Sequence, residues 1–451
     1  MAKRVNMRTI SLEERKNTFS EVTCGYNLEE AKFEASRCLN CKHQPCIAGC
    51  PVGINIPKFI QEISSGNIDD AKKTILEKSL FGDICGRVCP QEKQCEAVCV
   101  RGLKQEPVAI GNLERFVFDE SKWFNEKNIS KNNYSVGIVG SGPAGLACAY
   151  ELALNGFKVE IYEALHMAGG VLTYGIPEFR LPKTLIISLV EKLEKMGVSF
   201  NYNVIVGKTV YLSELEDKHD ALFLGTGAGL PRFMNIKGEM LNGVMSANEF
   251  LTRVNLMKAY KDDYDTPLRE LNKVAVVGGG NVAMDAARSA IRLGAKEVHL
   301  IYRRSFDEMP ARLEEVKHAE EEGVIFNFQN SPVEIIGNEF HEVKAIKCVK
   351  TKLGEKDESG RRSFEILHDC NNVFEVDTVI MALGNYPNPL LAKEKNDIKF
   401  NQWGCIVVDE NNQTTKKMIY AGGDAVTGAA TVILAMGAGQ KAANNIIAKL
   451  K

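Results

Sequence analysis

The sequence lacks the features that would place the chain in a membrane, on a nucleic acid or outside the cell. Its formal net charge is only −2 over 451 residues, which removes the charge basis for binding nucleic acid or an anionic membrane surface. It has no run of 18 apolar residues, about the length that a membrane-spanning helix needs. The basic start MAKRVNMRTISLEERK is not followed by an apolar core, so we expect no secretory signal. These absences predict a cytoplasmic protein, a setting in which disulfides are rare.

Histidine is scarce as well. The chain has seven, and none stands in a convincing Ser-His-Asp arrangement or a water-activating metal site. We therefore expect no catalytic side chain, with the chemistry supplied by bound cofactors. The composition is otherwise that of a globular protein, with 45% hydrophobic and 25% charged residues, and the length predicts two or three domains.

Cysteine is unevenly distributed along the chain. Of thirteen cysteines, the four after residue 100 are scattered singly, as small core residues are. The other nine precede residue 100 and are Cys24, Cys38, Cys41, Cys46, Cys50, Cys85, Cys89, Cys95 and Cys99. Eight of these nine fall in two runs, CLNCKHQPCIAGCP (38–51) and CGRVCPQEKQCEAVC (85–99).

The spacing of these runs favours iron–sulfur clusters over structural zinc. Zinc sites often use two Cys-x2-Cys pairs, and only Cys38 and Cys41 have that spacing. A run that ends in Cys-Pro is typical of iron–sulfur ligation, although the gap of four residues before Cys46 departs from the bacterial ferredoxin pattern. Thiolates suit such clusters. Two runs predict two clusters with eight ligands, and cysteine counting alone makes Cys85 the eighth ligand.

The chain changes character near Tyr134. Residues 1–130 have helical spacing and little strand-like alternation, which predicts one small α-helical domain. Residues 134–164 and 273–303 each predict a strand, a glycine turn, a helix and a second strand. Two such units predict two nucleotide-binding domains, and the polar stretch 255–270 is the expected crossover between them.

The first glycine loop has the G-x-G-x-x-G spacing of a dinucleotide site. Its glycines allow a tight turn, a close approach of the pyrophosphate and close packing of helix on strand. The phosphates are then expected at the helix N-terminus, and the acid Glu163 after the second strand is expected to bind ribose hydroxyls. The loop residues are Gly140, Ser141, Gly142, Pro143, Ala144 and Gly145.

The second loop differs where its second strand ends. Arg303 and Arg304 stand where the first unit has Glu163. Arginine pairs with a 2′-phosphate, so the sequence predicts NADPH rather than NADH; a solvated strand end is the alternative. The loop residues are Gly278, Gly280, Asn281, Val282 and Ala283, the last being a tolerated replacement for the third glycine.

Two further segments carry a resemblance to flavoproteins with two dinucleotide-binding domains. ALFLGTGA (221–228) is an apolar strand that ends in Thr-Gly, and YAGGDA (420–425) precedes a long helix. The resemblance implies FAD in the first domain, with Asp424 on its ribityl chain and Ala430 and Thr431 near its ring. It implies that the NADPH domain is inserted into the FAD domain. A dithiol mechanism like that of thioredoxin reductase is not expected, because no Cys-x-x-Cys follows residue 99.

The whole chain resembles the small (beta) subunit family of NADPH-dependent glutamate synthase. It is also similar to the N-terminal part of dihydropyrimidine dehydrogenase and to the large subunit of NADH-dependent ferredoxin:NADP oxidoreductase. The motifs that carry the resemblance are CLNCKHQPCIAGCP, GRVCP (86–90), VAIGNLERF (108–116), VGSGPAGL, LTYGIPEFRLPK (172–183) and VVGGGNVAMD.

The resemblance implies an α/β fold class. An α-helical iron–sulfur domain (1–130) is followed by two Rossmann-like domains, with the NADPH domain (266–384) inserted into the FAD domain (131–265 and 385–451). It also implies two [4Fe-4S] clusters. The first would be held by Cys38, Cys41, Cys46 and Cys99. The second would be held by Cys50, Cys89, Cys95 and Glu114, which leaves Cys24 and Cys85 as non-ligands.

The segment 172–183 is expected beside the flavin ring, with Gly175, Pro177 and Arg180 in the loop and Arg180 near cofactor charge. The remaining predicted FAD contacts are Gly170, Leu172, Thr226, Gly227 and Gly423, and Gly384 is a predicted NADPH contact.

The implied activity is electron transfer from NADPH through FAD and the clusters to a partner. A glutaminase and a further flavin barrel do not fit in 451 residues, so L-glutamate synthesis requires a large partner subunit. The first alternative is the large subunit of an electron-bifurcating ferredoxin:NADP oxidoreductase, or a related sulfide dehydrogenase or ferredoxin reductase. Its partner would be a smaller flavin and iron–sulfur subunit, or ferredoxin. The second alternative is a zinc- and nucleotide-sensing module.

Overall fold

The computed structural model describes residues 3–122, 129–356, 360–394 and 396–451. Within residues 3–122 the chain is helical, and the cysteines lie on short helices and in the loops between them. The helices are α1 (Leu12–Asn17), α2 (Leu28–Ser36), α3 (Pro45–Ala48), α4 (Ile56–Ser64), α5 (Ile68–Leu76), α6 (Gly82–Val88) and α7 (Ile110–Glu120), with single turns at Gln91–Lys93 and Val100–Leu103. The predicted α-helical domain is confirmed.

The first nucleotide unit is built on a parallel sheet of five strands. Its strands are β1 (Ser135–Val139), β2 (Lys158–Tyr162), β3 (Ser199–Asn201), β4 (Ala221–Leu224) and β15 (Ile419–Ala421), in the order β15-β4-β1-β2-β3. Its helices are α8 (Pro143–Leu154), α9 (Val171–Tyr174), α10 (Lys183–Lys195), α11 (Leu212–Lys218), α15 (Leu390–Lys393), α16 (Asp424–Thr427) and α17 (Val432–Leu450). Strand β15 follows the whole second unit in the chain, so the first sheet contains strands from both sides of that unit in sequence.

The second unit has a similar parallel sheet with an antiparallel sheet beside it. The parallel strands are β6 (Val244–Ser246), β7 (Lys273–Val277), β8 (Glu297–Tyr302), β9 (Ile325–Phe328) and β13 (Thr378–Met381), in the order β6-β13-β7-β8-β9. The antiparallel strands are β10 (Asn330–Gly337), β11 (Val343–Lys356) and β12 (Arg362–Glu375). The helices are α12 (Ala247–Leu251), which continues as a π-helix over Thr252–Leu256, α13 (Asn281–Arg292) and α14 (Leu313–Glu322).

The chain crosses between the two units at two neighbouring places. Strand β5 (Leu230–Pro231) leaves the first unit and strand β14 (Asn385–Tyr386) returns to it, and the two pair antiparallel. The crossover therefore precedes the polar stretch 255–270, and β6 already lies in the second sheet although the sequence predicts that the second unit starts at residue 266. A strand of two residues is too short to show the alternation of apolar and polar residues by which a strand is predicted from sequence.

One hydrophobic core joins the helical domain to the first unit. Cys85 and Cys89 pack in the same cluster as the first sheet and α17. Val52 lies beside Gly437 of α17, where a Cβ would come 3.0 Å from Val52 Cγ1. The fold prediction of a helical domain followed by two parallel α/β units, one inserted in the other, is thus confirmed. Among the described residues, no helix is both long and apolar enough to cross a bilayer.

Candidate functional site

The first glycine loop is closed on one side and open on the other. A Cβ at Gly145 would lie 2.0 Å from Gly140 O, so helix α8 packs on the turn as closely as backbone allows. A Cβ at Gly142 would meet nothing within 4 Å. Gly142 caps α8 without a side-chain hydrogen bond, and Pro143 starts the helix, so the N-terminal N–H groups face this open space. The loop has the shape and dipole that a pyrophosphate needs.

The carboxylate of Glu163 stabilises this loop through hydrogen bonds. Its Oε2 accepts a hydrogen bond from Ser141 N at 2.9 Å, and its Oε1 accepts one from Leu165 N at 2.8 Å. The side chain of Ser141 also donates to Oε2, and Glu163 is buried. The structure therefore gives Glu163 a loop-holding role. The predicted contact of Glu163 with ribose stays a prediction.

The C-terminal segment brings Asp424 to the same place. Its Oδ1 accepts a hydrogen bond from Ala430 N at 3.2 Å, and Thr431 caps α17 by accepting from Leu434 N. Burial raises the pKa of Asp424. Burial, with the charges of Asp424 and Glu163 nearby, raises the pKa of Tyr174 to about 12. Sequence reasoning missed Tyr174, which lies close enough to both predicted FAD carboxylates for their charges to raise its pKa.

The other predicted FAD residues surround this space. A Cβ at Gly170 would lie 2.9 Å from Gly142 Cα, and Leu172 is fully buried next to it on α9. A Cβ at Gly227, just after Thr226, would meet nothing within 4 Å. Gly423 turns the chain from β15 into α16 with a φ of +68°. The residues predicted to hold FAD are therefore brought together around one open loop, and the contacts themselves stay predictions.

Arg180 of the predicted flavin-side loop has protein partners in the second unit. Its Nη1 donates to Oδ1 and Oδ2 of Asp285 at 2.7 Å each, and its Nε lies 3.2 Å from Glu315 Oε2. All three side chains are buried. No local sequence pattern indicates this pairing, because Asp285 on α13 and Glu315 on α14 are over 100 residues away from Arg180. The expected contact of Arg180 with cofactor charge, like those of Gly175 and Pro177, stays a prediction.

The second glycine loop repeats the plan of the first. A Cβ at Gly278 would lie 2.3 Å from Ala382 O, whereas one at Gly280 would meet only Pro310, at 3.9 Å. Gly280 caps α13, and the Oδ1 of Asn281 accepts a hydrogen bond from Arg312 N at 2.9 Å. Val282 is 40% exposed on the open side, and Ala283 is buried against the sheet. A Cβ at Gly384, also predicted here, would meet nothing within 4 Å.

Arg303 and Arg304 follow β8, at the carboxyl edge of the second sheet. Arg304 is largely buried, and Arg303 is exposed with its Cζ 4.6 Å from the centre of the Phe364 ring. Burial lowers the pKa of Arg303, and the charges of Arg304 and Arg361 lower it further. Positive charge therefore accumulates at the position predicted to bind a 2′-phosphate.

Four cysteines line one cavity in the helical domain. Cys38, Cys41, Cys46 and Cys99 form part of its wall. Burial raises the pKa of the Cys46 thiol to about 11. All four are half-buried, and Leu39 and Val100 of the same wall are 55% and 37% exposed. The residue set is the one predicted for the first cluster, and it lies close to the protein surface.

A second group of thiols lies deeper. Cys89 and Cys95 are buried and neighbour Cys50 and Glu114. Burial raises the pKa of Glu114 well above its usual value, with the Cys89 thiol next to it, and its Oε1 has no hydrogen-bond partner. A buried carboxylate oxygen without a partner fits a ligand of a cluster. The thiol of Cys85 shares a hydrogen bond with Cys89, so the position of Cys85 does not separate it from Glu114 as the eighth ligand.

The cysteine groups are wider than a single-ion site. Across residues 3–122, 129–356, 360–394 and 396–451, no three His, Cys, Asp or Glu side chains converge closely enough to hold one metal ion between them. Each of the thirteen cysteines is free of disulfides. The assignment of ligands to two clusters stays a prediction.

Two family models match successive parts of the chain. Residues 15–126 match the dihydropyrimidine dehydrogenase domain II with a 4Fe-4S cluster. Residues 134–439 match the pyridine nucleotide-disulphide oxidoreductases, a family whose members bind a flavin and a nicotinamide nucleotide. The first match covers both cysteine groups, and the second begins just before β1 and ends within α17.

Similar proteins cover nearly the whole chain. It is 36% identical to the glutamate synthase [NADPH] small chain of Escherichia coli, over 97% of this chain and 95% of that protein. It is 38% identical to the putative oxidoreductase AegA of the same organism, over 97% of this chain and 68% of that protein. Among solved structures, FprA of Mycobacterium tuberculosis in complex with NADPH has a TM-score of 0.58 at 20% identity, over 71% of this chain and 85% of that one. At that identity the likeness concerns the fold alone.

Proposed function

Because the chain belongs to the pyridine nucleotide-disulphide oxidoreductases, and within them to the family of the glutamate synthase NADPH small chain, we propose that it is the NADPH-oxidising subunit of a glutamate synthase. It is an NADPH-dependent oxidoreductase with a 4Fe-4S domain. Electrons from NADPH would leave through two clusters to a partner subunit that makes L-glutamate. A cytoplasmic location belongs to the same proposal, since cluster ligation needs free thiols and all thirteen are free.

The observation that carries the proposal is the arrangement of the cysteine groups relative to the first glycine loop. Cys89 of the deeper group shares a hydrophobic core with α17, the helix that starts at the predicted flavin contact Thr431. The outer group lines a cavity whose wall reaches the surface at Leu39. This order supports a path from the flavin side of the molecule through the deeper group to the outer group and then to a partner.

Each cofactor has a proposed set of residues. The first cluster would be held by Cys38, Cys41, Cys46 and Cys99, and the second by Cys50, Cys89, Cys95 and Glu114. FAD would lie on the 140–145 loop with Glu163 and Asp424, and NADPH on the 278–283 loop with Arg303 and Arg304. When bound, FAD would supply the exchange between the two-electron chemistry of NADPH and the one-electron chemistry of the clusters.

The side chains of the chain position these groups and keep water away from them. Glu163 holds the first loop through Ser141 and Leu165, so the open face at Gly142 is formed before a ligand arrives. Asn281 ties the second loop to Arg312. The buried pairing of Arg180 with Asp285 fixes the flavin-side segment against the second unit. Loops that already have the conformation needed for binding reduce the loss of conformational entropy when a ligand binds.

The identity of the partner subunit distinguishes the main proposal from its alternative. The name small chain of the E. coli relative implies a further chain, so a partner subunit is expected here as well. AegA, at 38% identity, is longer than this chain and carries no glutamate synthase name. The alternative proposal is therefore an electron-bifurcating ferredoxin:NADP oxidoreductase subunit, or a related reductase, working with a smaller flavin and iron–sulfur protein or with ferredoxin.

One purification tests the proposal. The tagged chain is isolated without oxygen from its native host, and iron, flavin and associated proteins are measured. We expect about eight irons and one FAD per chain, with a large partner whose complex oxidises NADPH only when glutamine and a 2-oxo acid are present. Glutamine-independent reduction of ferredoxin by the complex would support the alternative. Colourless protein that contains zinc would overturn both.

A further inference from the structure

Residues 309–312 form one side of the second glycine loop, and we call them the bridging segment. Arg312 N donates to the side-chain oxygen of Asn281 at 2.9 Å. A Cβ at Gly280 would lie 3.9 Å from Pro310 Cγ. The bridging segment therefore borders the open space at Gly280, where the phosphates of a nucleotide are expected.

A lysine of the helical domain holds the bridging segment from its other side. Lys93 Nζ donates to three successive carbonyl oxygens of this segment. They belong to Met309 at 3.3 Å, Pro310 at 3.0 Å and Ala311 at 3.4 Å. An ammonium group has three N–H donors, which matches the number of carbonyl oxygens. One side chain of the helical domain thus binds most of the bridging segment.

Two further hydrogen bonds join the helical domain to the end of the bridging segment. Leu313 N donates to Glu92 Oε1 at 3.2 Å, so Glu92 supplies an acceptor at the start of α14. The guanidinium of Arg312 donates to the carbonyl oxygen of Arg87, in the last turn of α6. The bridging segment is therefore hydrogen-bonded to the second glycine loop on one side and to residues 87–93 on the other.

Glu92 and Lys93 lie between two cysteines of the deeper group. Cys89 follows α6, and residues 90–94 separate it from Cys95. Both cysteines are buried. A cluster held by both thiols would close residues 90–94 into a small ring and reduce the number of conformations that they can adopt. Cluster binding is therefore expected to restrain the two side chains that hold the bridging segment.

We propose that Glu92 and Lys93 are positioning residues for the nucleotide, and that through them the deeper cysteine group and the second glycine loop affect each other. The inference rests on the proposed binding of NADPH at that loop and on the proposed cluster at Cys89 and Cys95. When the cluster is bound, residues 90–94 are restrained and the bridging segment keeps its place beside the loop. Because coupling between two sites is reciprocal, a nucleotide on the loop changes the surroundings of the cluster.

The first test measures nucleotide binding. The probe is 2′,5′-ADP, which has no redox-active ring, and it is titrated into the complete holoenzyme by calorimetry. We expect Lys93→Met to weaken its binding about fivefold, the lower end of the usual coupling between sites. Lys93→Arg retains a charged donor and should lose less. The matched control Lys42→Met changes an exposed lysine between Cys41 and Cys46 of the outer group, and it should bind like the parent.

The second test observes the clusters by electron paramagnetic resonance. Adding 2′,5′-ADP to the reduced parent should change the signal of one cluster, and Lys93→Met should diminish that change. Cys46→Ser is designed to remove the outer cluster, and the responding signal should remain in it. Cys89→Ser is designed to remove the deeper cluster. It should weaken 2′,5′-ADP about fivefold, whereas Cys46→Ser should bind like the parent.

The outcomes separate this inference from the proposed function. If the parent does not bind 2′,5′-ADP, the assignment of NADPH to the second loop is overturned together with the inference. If the parent binds it and Lys93→Met binds it equally well, the positioning role alone is overturned. An unchanged cluster signal when 2′,5′-ADP is added to the parent would overturn the coupling. That measurement needs no variant, so it decides the coupling even if thermal unfolding shows that a variant has not folded.

Discussion

Arg180 donates from Nη1 to both carboxylate oxygens of Asp285 at 2.7 Å, which joins the segment after α9 to the first half of α13. Both side chains are buried, and Glu315 lies on the other side of the Arg180 guanidinium at 3.2 Å from Nε. A buried charge pair therefore joins the flavin-side loop to the second unit. Phe179, the preceding residue, lies under the guanidinium groups of Arg288 and Arg292 at 4.7 and 4.0 Å.

Removing Asp285 should destabilise the whole protein. Asp285→Ala leaves Arg180 buried without its main partner, and we expect the free energy of unfolding in urea to fall by about 3–5 kcal/mol. The exposed pair of Lys73 and Asp70 provides the control, since Asp70→Ala should cost less than about 1 kcal/mol. The double variant Arg180→Met, Asp285→Leu should recover most of the loss. A double variant as unstable as Asp285→Ala would show that the pair does not act as a unit.

Glu315 should make the protein sensitive to acid. Although burial alone favours the neutral acid, Arg180 and Arg288 hold the pKa of Glu315 at about 2 instead of 4.5. A depressed pKa adds stability above pH 4.5, and this is lost as the pH falls towards 2. We expect Glu315→Gln to remove about 3 kcal/mol at pH 6 and much less near pH 2, measured by urea unfolding across this range. Glu320→Gln, on the exposed side of the same helix, should follow the parent at every pH.

Two substitutions in the first glycine loop should affect protein stability and FAD binding separately. Gly145→Ala puts a Cβ 2.0 Å from Gly140 O, so the turn must shift and thermal stability should fall by about 1–3 kcal/mol. Gly142→Ala meets nothing within 4 Å and has an ordinary φ of −67°, so the protein should fold normally. It places a methyl group where the pyrophosphate approaches, and FAD binding should weaken at least tenfold in a fluorescence titration. Normal FAD affinity in Gly142→Ala would place the cofactor elsewhere.

The eighth cluster ligand can be decided by iron analysis. We expect Cys85→Ser to retain the iron of the parent and Cys89→Ser to lose about half, one cluster of two. Glu114→Ala should alter the electron paramagnetic resonance signal of one cluster and leave the other unchanged. The control is Cys148→Ser, which lies in α8 far from both groups in sequence. Loss of iron in Cys85→Ser would assign the eighth position to Cys85 rather than to Glu114.

The sequence predicted those features that have a local pattern. The loop at Gly140 and the loop at Gly278 are recognisable because each needs fixed spacing between a strand, a turn and a helix. The four cysteines around the outer cavity follow from their spacing together with a family resemblance. Arg180 was placed by resemblance near the cofactor, and its partners Asp285 and Glu315 could not be found, since a pair of charges far apart in sequence has no local signal. The contact of Arg303 with Phe364 depends on how a distant hairpin folds back, which periodicity does not contain.

Strands β5 and β14 have a consequence for protein engineering. The chain passes into the second unit after Leu230 and returns from it at Tyr386, and these two residues are opposite each other in an antiparallel pair. The two ends of the second unit are thus about 5 Å apart, a gap that a short turn can close. A unit of different coenzyme preference could be joined to the first unit at these adjacent ends, provided that it keeps the buried partners Asp285 and Glu315 of Arg180.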